Sequence, residues 1–253
     1  MPITFKIDGK LVSVPKGTDL LKAARMNGIQ IPSLCYHDAV KPYSVCRVCT
    51  VKVVNKGWAK FTAACSMLAE EGIEVFTNTE DVINLRRIMI ELLLAKSPNA
   101  TPVIKLANEY GIDANRFSVS AEQADDCILC GLCVRVCEEI IQASAIGFKN
   151  RGHEREVSTP FAIAPEACVG CASCANVCPT NYIKYEQTPD TRTIWDKTFE
   201  MQKCKICGKA IVTKAEAEHL SNLKGTPKEY YEICDDCHRK ETADNFNKLA
   251  KFM

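Results

Sequence analysis

No stretch of about 18 uncharged apolar residues occurs in the 253-residue chain, so no membrane span is expected. No apolar run follows the first basic residue of Met1-Pro2-Ile3-Thr4-Phe5-Lys6, so no signal peptide is expected either. An excess of charge of either sign is missing as well. The 32 basic and 31 acidic residues nearly cancel, which leaves no electrostatic footprint for nucleic acid and points to other proteins as partners. Neither G-x-G-x-x-G nor G-x4-G-K-[ST] is present, so no Rossmann or P-loop nucleotide site is expected. Histidine is scarce: His37 and His153 are expected near solvent or beside a site, His219 on a helix surface, and His238 as an alternative ligand to Cys237. No Ser–His or Cys–His nucleophile pairing is supported by the spacing, so no autonomous catalytic site is expected.

Cysteine, by contrast, is abundant. The sixteen cysteines fall into four groups, mostly C-x2-C pairs, which suits metal ligation in a reducing cytoplasm rather than a secreted disulfide framework. Two runs stand out: Cys127, Cys130, Cys133, Cys137 and Cys168, Cys171, Cys174, Cys178. Each reads C-x2-C-x2-C-x3-C, the second is followed by Pro179, and they repeat with a period of 41 residues. That is the ligand run of bacterial two-cluster ferredoxins, in which the fourth cysteine ligates the other cluster. The crossing assigns Cys127, Cys130, Cys133 and Cys178 to one [4Fe–4S] cluster, and Cys137, Cys168, Cys171 and Cys174 to a second. Disulfides and zinc are the bland alternatives for these eight residues, and two such runs in series weigh against both.

Ahead of the runs, Thr4 to Ile7 and Leu11 to Val14 alternate around Asp8-Gly9, a hairpin signal. Thr18 can cap a helix over Asp19 to Asn27, with Gly28 after its end. Strand, tight turn, strand and helix begin a β-grasp fold. Cys35, Cys46, Cys49 and Cys65 follow with spacing C-x10-C-x2-C-x15-C, and Thr50 to Val54 reads as a further strand. Four loop cysteines on such a domain suit one [2Fe–2S] cluster. At the other end, Cys204 and Cys207 pair with Cys234 and Cys237 in a spacing close to that of a four-cysteine zinc site. Lys203, Lys205 and Lys209 are expected to favour thiolates there. Zn²⁺ is the expected metal, with a further iron–sulfur cluster or a redox dithiol as alternatives.

The segments Ser33-Leu34-Cys35-Tyr36-His37, Ser44-Val45-Cys46-Arg47-Val48-Cys49 and Cys127 through Glu139 resemble the N-terminal ferredoxin region of the large iron–sulfur subunit of respiratory complex I. The same module occurs in diaphorase subunits of NAD-linked hydrogenases and formate dehydrogenases, and in multi-cluster [FeFe]-hydrogenases. The resemblance covers residues 1 to about 186. Relatives usually carry one more cluster, held by one histidine and three cysteines, between the two regions. This chain has neither residue type from Ser66 to Asp126, so a connector with its cluster deleted is expected. It reads as helices over Glu80 to Lys96 and Pro102 to Tyr110, the second capped by Thr101, with Arg86-Arg87 on a solvated or inter-domain face.

The expected class is α+β: a β-grasp [2Fe–2S] ferredoxin domain at 1–79, a helical connector at 80–120, a two-[4Fe–4S] ferredoxin-like domain at 121–186, then linker and zinc-ribbon-like tail at 187–253. Gly147 to Gly152 is expected as a turn between strands, Glu186 to Arg192 as the linker, and Tyr182, Tyr185 and Trp195 over the clusters. Iron–sulfur clusters move single electrons whereas a nicotinamide moves a hydride, so something else must split the pair, most simply a flavin in a partner subunit. The resemblance implies an electron-transfer subunit between a flavin- and NAD(P)-binding subunit and a second catalytic or ferredoxin-interacting subunit. Hydrogenase, formate dehydrogenase and ferredoxin-linked transhydrogenase, with electron bifurcation among the options, are the settings it names. A structural or redox-sensing iron–sulfur protein is the alternative.

Overall fold

The computed structural model describes residues 1–112, 116–117 and 125–250, and the boundary expected between 120 and 121 lies outside them. The chain divides into two compact units: Met1–Arg135 with Cys178–Tyr182, and Val136–Val177 with Ile183 onward.

In the first unit, β1 (Pro2–Ile7) and β2 (Lys10–Pro15) form an antiparallel hairpin. Its turn residues Asp8 and Gly9 both have positive φ, 48° and 80°, as a two-residue type I′ turn requires. Helix α1 (Leu20–Met26) follows, then β3 (Thr50–Asn55), β4 (Trp58–Ala63) and β5 (Glu74–Phe76). The sheet order is β2-β1-β5-β3-β4, with the central β1–β5 pair parallel. Phe5, Ile7, Val12, Val14, Val51, Val53 and Val75 alternate onto the inner face, where they meet Leu20, Leu21, Ala23 and Ala24 of α1. Full burial of each large side chain stabilises by about 1.5–3 kcal/mol, so this face holds the β-grasp together. The cap of α1 is Asp19, which accepts from Lys22 N at 2.8 Å. Thr18, the expected cap, instead donates its hydroxyl to Pro15 O at 2.7 Å.

Helix α2 (Glu80–Lys96) buries Val82, Arg86, Ile90 and Leu94, one stripe at a spacing of four. Arg86 therefore lies on the core side, not on a solvated face: it is 1% exposed. Its Nε donates to Thr50 O at 3.0 Å and its Nη1 to the Tyr110 hydroxyl at 3.3 Å, which holds α2 and its successor against β3. That successor, α3 (Thr101–Glu109), starts one residue early because Ala100, not Thr101, is the capping position. A four-residue turn, α4 (Leu132–Arg135), closes the first unit's main segment.

The second unit opens with a π-helical turn, Val136–Ile140, around Cys137. Strands β6 (Gly147–Lys149) and β7 (Glu156–Ser158) pair antiparallel, so the residues expected as a turn from Gly147 begin as a strand. Helix α5 (Ser173–Asn176) precedes β8 (Glu186–Gln187), β9 (Thr191–Ile194), β10 (Lys197–Lys203) and β11 (Ala210–Thr213), which form a sheet in the order β11-β10-β9-β8. The stretch expected as a linker is thus β8, a turn and the start of β9. The physical reason is alternation: Arg192, Ile194, Phe199 and Met201 share one buried face, which polar composition alone conceals. Helix α6 (Lys214–Lys224) is capped by Thr213, and α7 (Asp235–Ala250) ends the described chain.

Candidate metal centres

Cys35 and Cys46 lie on the loop between α1 and β3, Cys49 directly before β3 and Cys65 just after β4. All four are free thiols buried to 4% exposure or less. Their hydrogen bonds run Cys46–Cys35–Cys65–Cys49, which pushes Cys35 and Cys49 below the usual thiol range and Cys46 and Cys65 above it. Ser44 and Arg47, flanking Cys46, have φ of 60° and 56°. Left-handed residues beside ordinary ones turn successive N–H groups to one side, making an anion-binding concavity. Ser44 Oγ also lies 3.3 Å from Cys65 Sγ. Four buried sulfurs with chiefly each other as partners are costly as free thiolates and suited to sharing metal.

The two ferredoxin-like runs share one backbone. Leu129 and Gly170, 41 residues apart, have φ of 52° and 71°; Gly131 and Ala172, again 41 apart, have 70° and 58°. Helices α4 and α5 fall at the same offset, Leu132–Arg135 and Ser173–Asn176. The repeat read from cysteine spacing is therefore also a repeat of turn geometry. Cys178 belongs with Cys127, Cys130 and Cys133 in the first unit, and Cys137 with Cys168, Cys171 and Cys174 in the second. Electrostatics agrees: Cys178 bears on Cys127 and Cys130, whereas Cys137 bears on Cys168 and Cys174. Burial pushes Cys130 and Cys174 up to about 12, so these sulfurs need a cation to hold them as thiolates.

Around the first run, Asp125 accepts from Cys127 N at 2.7 Å and pairs with Lys96 at 3.0 Å. Cys178 Sγ accepts from Tyr182 N at 3.3 Å. The key contact is Arg135, buried at 9% exposure. Its Nη2 donates to the carbonyls of both Cys35, at 3.1 Å, and Cys130, at 3.4 Å, while Nη1 bonds Lys41 O. One guanidinium thus ties a ligand loop of the β-grasp to a ligand loop of the first run.

The second run encloses a cavity lined by Cys137, Cys168, Cys171 and Cys174 with Ile141, Ile146, Ile194 and Trp195 among the walls. Five carbonyls of its loop are held by the sheet that follows. Lys197 Nζ donates to Pro165, Glu166 and Cys168 at 3.1, 2.9 and 3.0 Å; Arg192 Nη1 to Gly170 at 2.8 Å; and Thr213 Oγ1 to Val169 at 2.5 Å. Arg192 also faces Glu216 at 3.7 Å, whose carboxyl burial pushes up. A Cβ at Gly170 would stand 2.6 Å from the Phe199 ring, so only glycine lets β10 come this close.

In the C-terminal module the Sγ atoms of Cys204, Cys207, Cys234 and Cys237 all lie within 4.8 Å of one another. Cys207 and Cys234 are 3.7 Å apart. N–H groups, that of Cys234 foremost, lower Cys204 to about 6, whereas burial foremost and the neighbouring thiols push Cys237 up to about 12. The lysines expected to favour thiolates pair instead with carboxylates: Lys203 with Asp190, Lys205 with Glu232 and Lys209 with Asp236. His238 stays outside the four, stacked on Tyr230 with its Nε2 at Tyr230 O. His219 is no simple surface residue, since its Nε2 lies 2.6 Å from Ile141 O.

Sequence reasoning missed Arg135, Arg192 and Lys197 as supports of the ligand loops. Arg135 had a visible signal, a lone cation inside the run between Cys133 and Cys137. Arg192 and Lys197 had none, because their targets are carbonyls 22 to 32 residues away.

Residues 1–80 match the 2Fe-2S iron-sulfur cluster binding domain and residues 126–182 the 4Fe-4S dicluster domain. The chain is 30% identical over 227 residues to NADPH-Fe(3+) oxidoreductase subunit alpha of Geobacter sulfurreducens, covering 81% of this chain and 26% of that protein. It is 32% identical over 208 residues to the NADP-reducing hydrogenase subunit HndD of Solidesulfovibrio fructosivorans, covering 70% and 35%. It is 31% identical over 175 residues to the NADH-ubiquinone oxidoreductase 75 kDa subunit of Reclinomonas americana, covering 60% and 25%. The chain thus spans about a quarter to a third of the length of these relatives. A chain of an NAD+-reducing [NiFe]-hydrogenase crystal structure shares the fold, with a TM-score of 0.63 at 22% identity over 88% of this chain and 98% of that one. The chain therefore carries a 2Fe–2S iron–sulfur cluster binding domain ahead of a 4Fe–4S dicluster domain, and is similar in sequence to part of the NADPH-Fe(3+) oxidoreductase, NADP-reducing hydrogenase and NADH-ubiquinone oxidoreductase subunits named above.

Proposed function

We propose that this chain relays single electrons between a flavin- and NAD(P)-binding partner and a second catalytic or ferredoxin-interacting subunit of a multi-subunit oxidoreductase. When bound, the clusters supply reversible one-electron chemistry. In this reading Cys35, Cys46, Cys49 and Cys65 hold one [2Fe–2S] cluster. Cys127, Cys130, Cys133 and Cys178 hold one [4Fe–4S] cluster, and Cys137, Cys168, Cys171 and Cys174 the other. The donor sets fit: buried or half-buried thiols in fours, with left-handed residues beside them that aim backbone N–H groups inward.

The observation that carries the relay is Arg135, whose one guanidinium bonds the carbonyls of Cys35 and Cys130. A relay needs its centres close and fixed, and this contact holds two ligand loops together although Cys35 lies 100 residues from the arginine. Cys35 is also felt electrostatically at Cys130. In this reading the [2Fe–2S] centre faces the flavin partner and the [4Fe–4S] pair faces the second subunit. Sixteen thiols free of disulfides suit a reducing cytoplasm, and among the described residues no helix is long and apolar enough to cross a membrane.

For the C-terminal module the reading is zinc. A single ion with Zn–S bonds of about 2.3 Å sets its sulfurs about 3.8 Å apart, close to the 3.7 Å between Cys207 and Cys234. A cubane spreads its ligand sulfurs over four separate irons and would hold them further apart. The test is anaerobic co-purification followed by stopped-flow reduction. NADH should reduce this chain's centres only when the flavoprotein partner is present. Centres that stay oxidised with the full set of co-purifying partners and NADH would overturn the relay.

A further inference from the structure

The turn between β9 and β10 stands out from the rest of the C-terminal module. Ile194 pairs with Lys197, which leaves Trp195 and Asp196 as a two-residue turn. Both have positive φ, 53° and 57°. Such turns normally take Asn-Gly or Asp-Gly, and a bulky aromatic there is a backbone outlier. Outliers of this kind persist where the surroundings over-determine them and cluster at functional sites. Here the surroundings are the five carbonyl bonds from Lys197, Arg192 and Thr213 that clamp this sheet to the Pro165–Gly170 segment.

The strained residue lines the cavity walled by Cys137, Cys168, Cys171 and Cys174. The indole Nε1 is buried and makes no well-formed hydrogen bond to a protein atom. It does bear on the Cys174 thiol, which it holds down against the larger effect of burial. An indole N–H has no acceptor capacity and one proton to give, so burying it without a partner is unfavourable unless something in the cavity accepts. The side chains lining the cavity offer four cysteine sulfurs and the Ser173 hydroxyl, and the indole makes no hydrogen bond to that hydroxyl. The first run has no counterpart, since the chain's other tryptophan, Trp58, lies on β4 with Lys60 over its ring.

We propose that the Trp195 indole N–H donates a hydrogen bond to a sulfur of the centre held by Cys137, Cys168, Cys171 and Cys174, and so raises the reduction potential of that centre. The inference rests on the cluster assignment above. The added electron makes the cluster sulfurs more negative, so a donor fixed at them stabilises the reduced form more than the oxidised form. Trp195 acts here as a positioning and tuning residue; Cys137, Cys168, Cys171 and Cys174 do the binding. The consequence is asymmetry between two otherwise repeated centres.

The experiment uses the full chain, loaded anaerobically. Tryptophan is labelled with ¹⁵N at the indole nitrogen, and the reduced protein is studied by pulsed EPR in H2O and in D2O. The expected result is an indole ¹⁵N coupling and an exchangeable-proton coupling on one [4Fe–4S] signal. In Trp195→Phe the indole ¹⁵N coupling and its one exchangeable proton disappear, while exchangeable couplings from backbone N–H groups remain. The midpoint of that centre then falls by about 59 mV, tenfold in the one-electron equilibrium, which is within the range of one net hydrogen bond. The other two centres hold their midpoints. An unchanged midpoint in Trp195→Phe with full iron content overturns the proposal. If the variant loses iron, the labelled parent chain decides, and absence of the ¹⁵N coupling overturns it. A parent chain that carries no reducible cluster would instead overturn the assignment on which the inference stands.

Discussion

The runs from Cys127 and from Cys168 have nearly the same backbone and very different neighbours. Left-handed residues and short helices recur at an offset of 41, down to the first and last residues of α4 and α5. Beyond that the two diverge. The first loop is held by Asp125 and by Arg135, which also reaches the β-grasp loop at Cys35. The second is held by a separate sheet through Lys197, Arg192 and Thr213, with Phe199 pressed on Gly170. Ligand geometry is thus a local property of the run, and what distinguishes the centres is the structure that grips them from outside.

The sharpest way to break this comparison is to remove one ligand from one repeat. Cys133→Ser should lower the iron content from about ten to about six per chain, or convert one cubane, while the [2Fe–2S] signal survives. Metal analysis with EPR reads the outcome, and loss of every signal would show that the centres do not form independently. Next in size is Cys207→Ser in the C-terminal module. It should release the metal held there, zinc in the proposed reading, and because β10 runs directly into Cys204 it should also loosen the grip on the second run alone. The expected pattern is a labile second cubane beside two unaffected centres.

Arg135→Met attacks the first run's distinctive contact. Removing the buried donor from the Cys35 and Cys130 carbonyls should cost about 2–4 kcal/mol in unfolding measurements. It should also shift the midpoints of the [2Fe–2S] and first [4Fe–4S] centres while sparing the second. Gly170→Ala probes the opposite repeat, where a Cβ meets Phe199 and φ is +71°; a loss of about 1–3 kcal/mol is expected. At the equivalent Leu129 a side chain already occupies that backbone, so Leu129→Ala should leave the turn intact.

The smallest effect concerns pH in the first unit. Lys52 holds the Asp81 carboxyl down to about 2, from 3.8. A depressed carboxylate contributes stability above its unfolded pKa and loses it as pH falls through its folded one. Acid stability should therefore decline slightly between about pH 4 and pH 2 in the parent and less in Asp81→Asn, with added salt narrowing the gap because the pair is half exposed.

The 2Fe–2S domain and the 4Fe–4S dicluster domain were legible from cysteine spacing, most readily in the two C-x2-C-x2-C-x3-C runs, where short fixed separations leave few ways to converge. Local signals also placed the Asp8-Gly9 hairpin and both ends of α2 from Glu80 to Lys96. What stayed hidden depends on contacts distant in sequence. Arg86 reads as polar yet is buried because β3 and Tyr110 supply acceptors, and Glu186–Arg192 reads as a linker because its partner strand lies beyond the next turn. Trp195 was legible as a residue near the second run's cysteines, whereas its strained turn and unpaired N–H depend on how β9 and β10 pack against that run.

The most direct test of the central claim is a potentiometric titration of the anaerobically purified full chain, followed by EPR with iron and zinc analysis. Three centres, each taking one electron reversibly in the range of NADH and ferredoxin, with about ten iron and one zinc per chain, is the predicted result. A colourless chain, or one whose cysteines hold only zinc or one another, would contradict it.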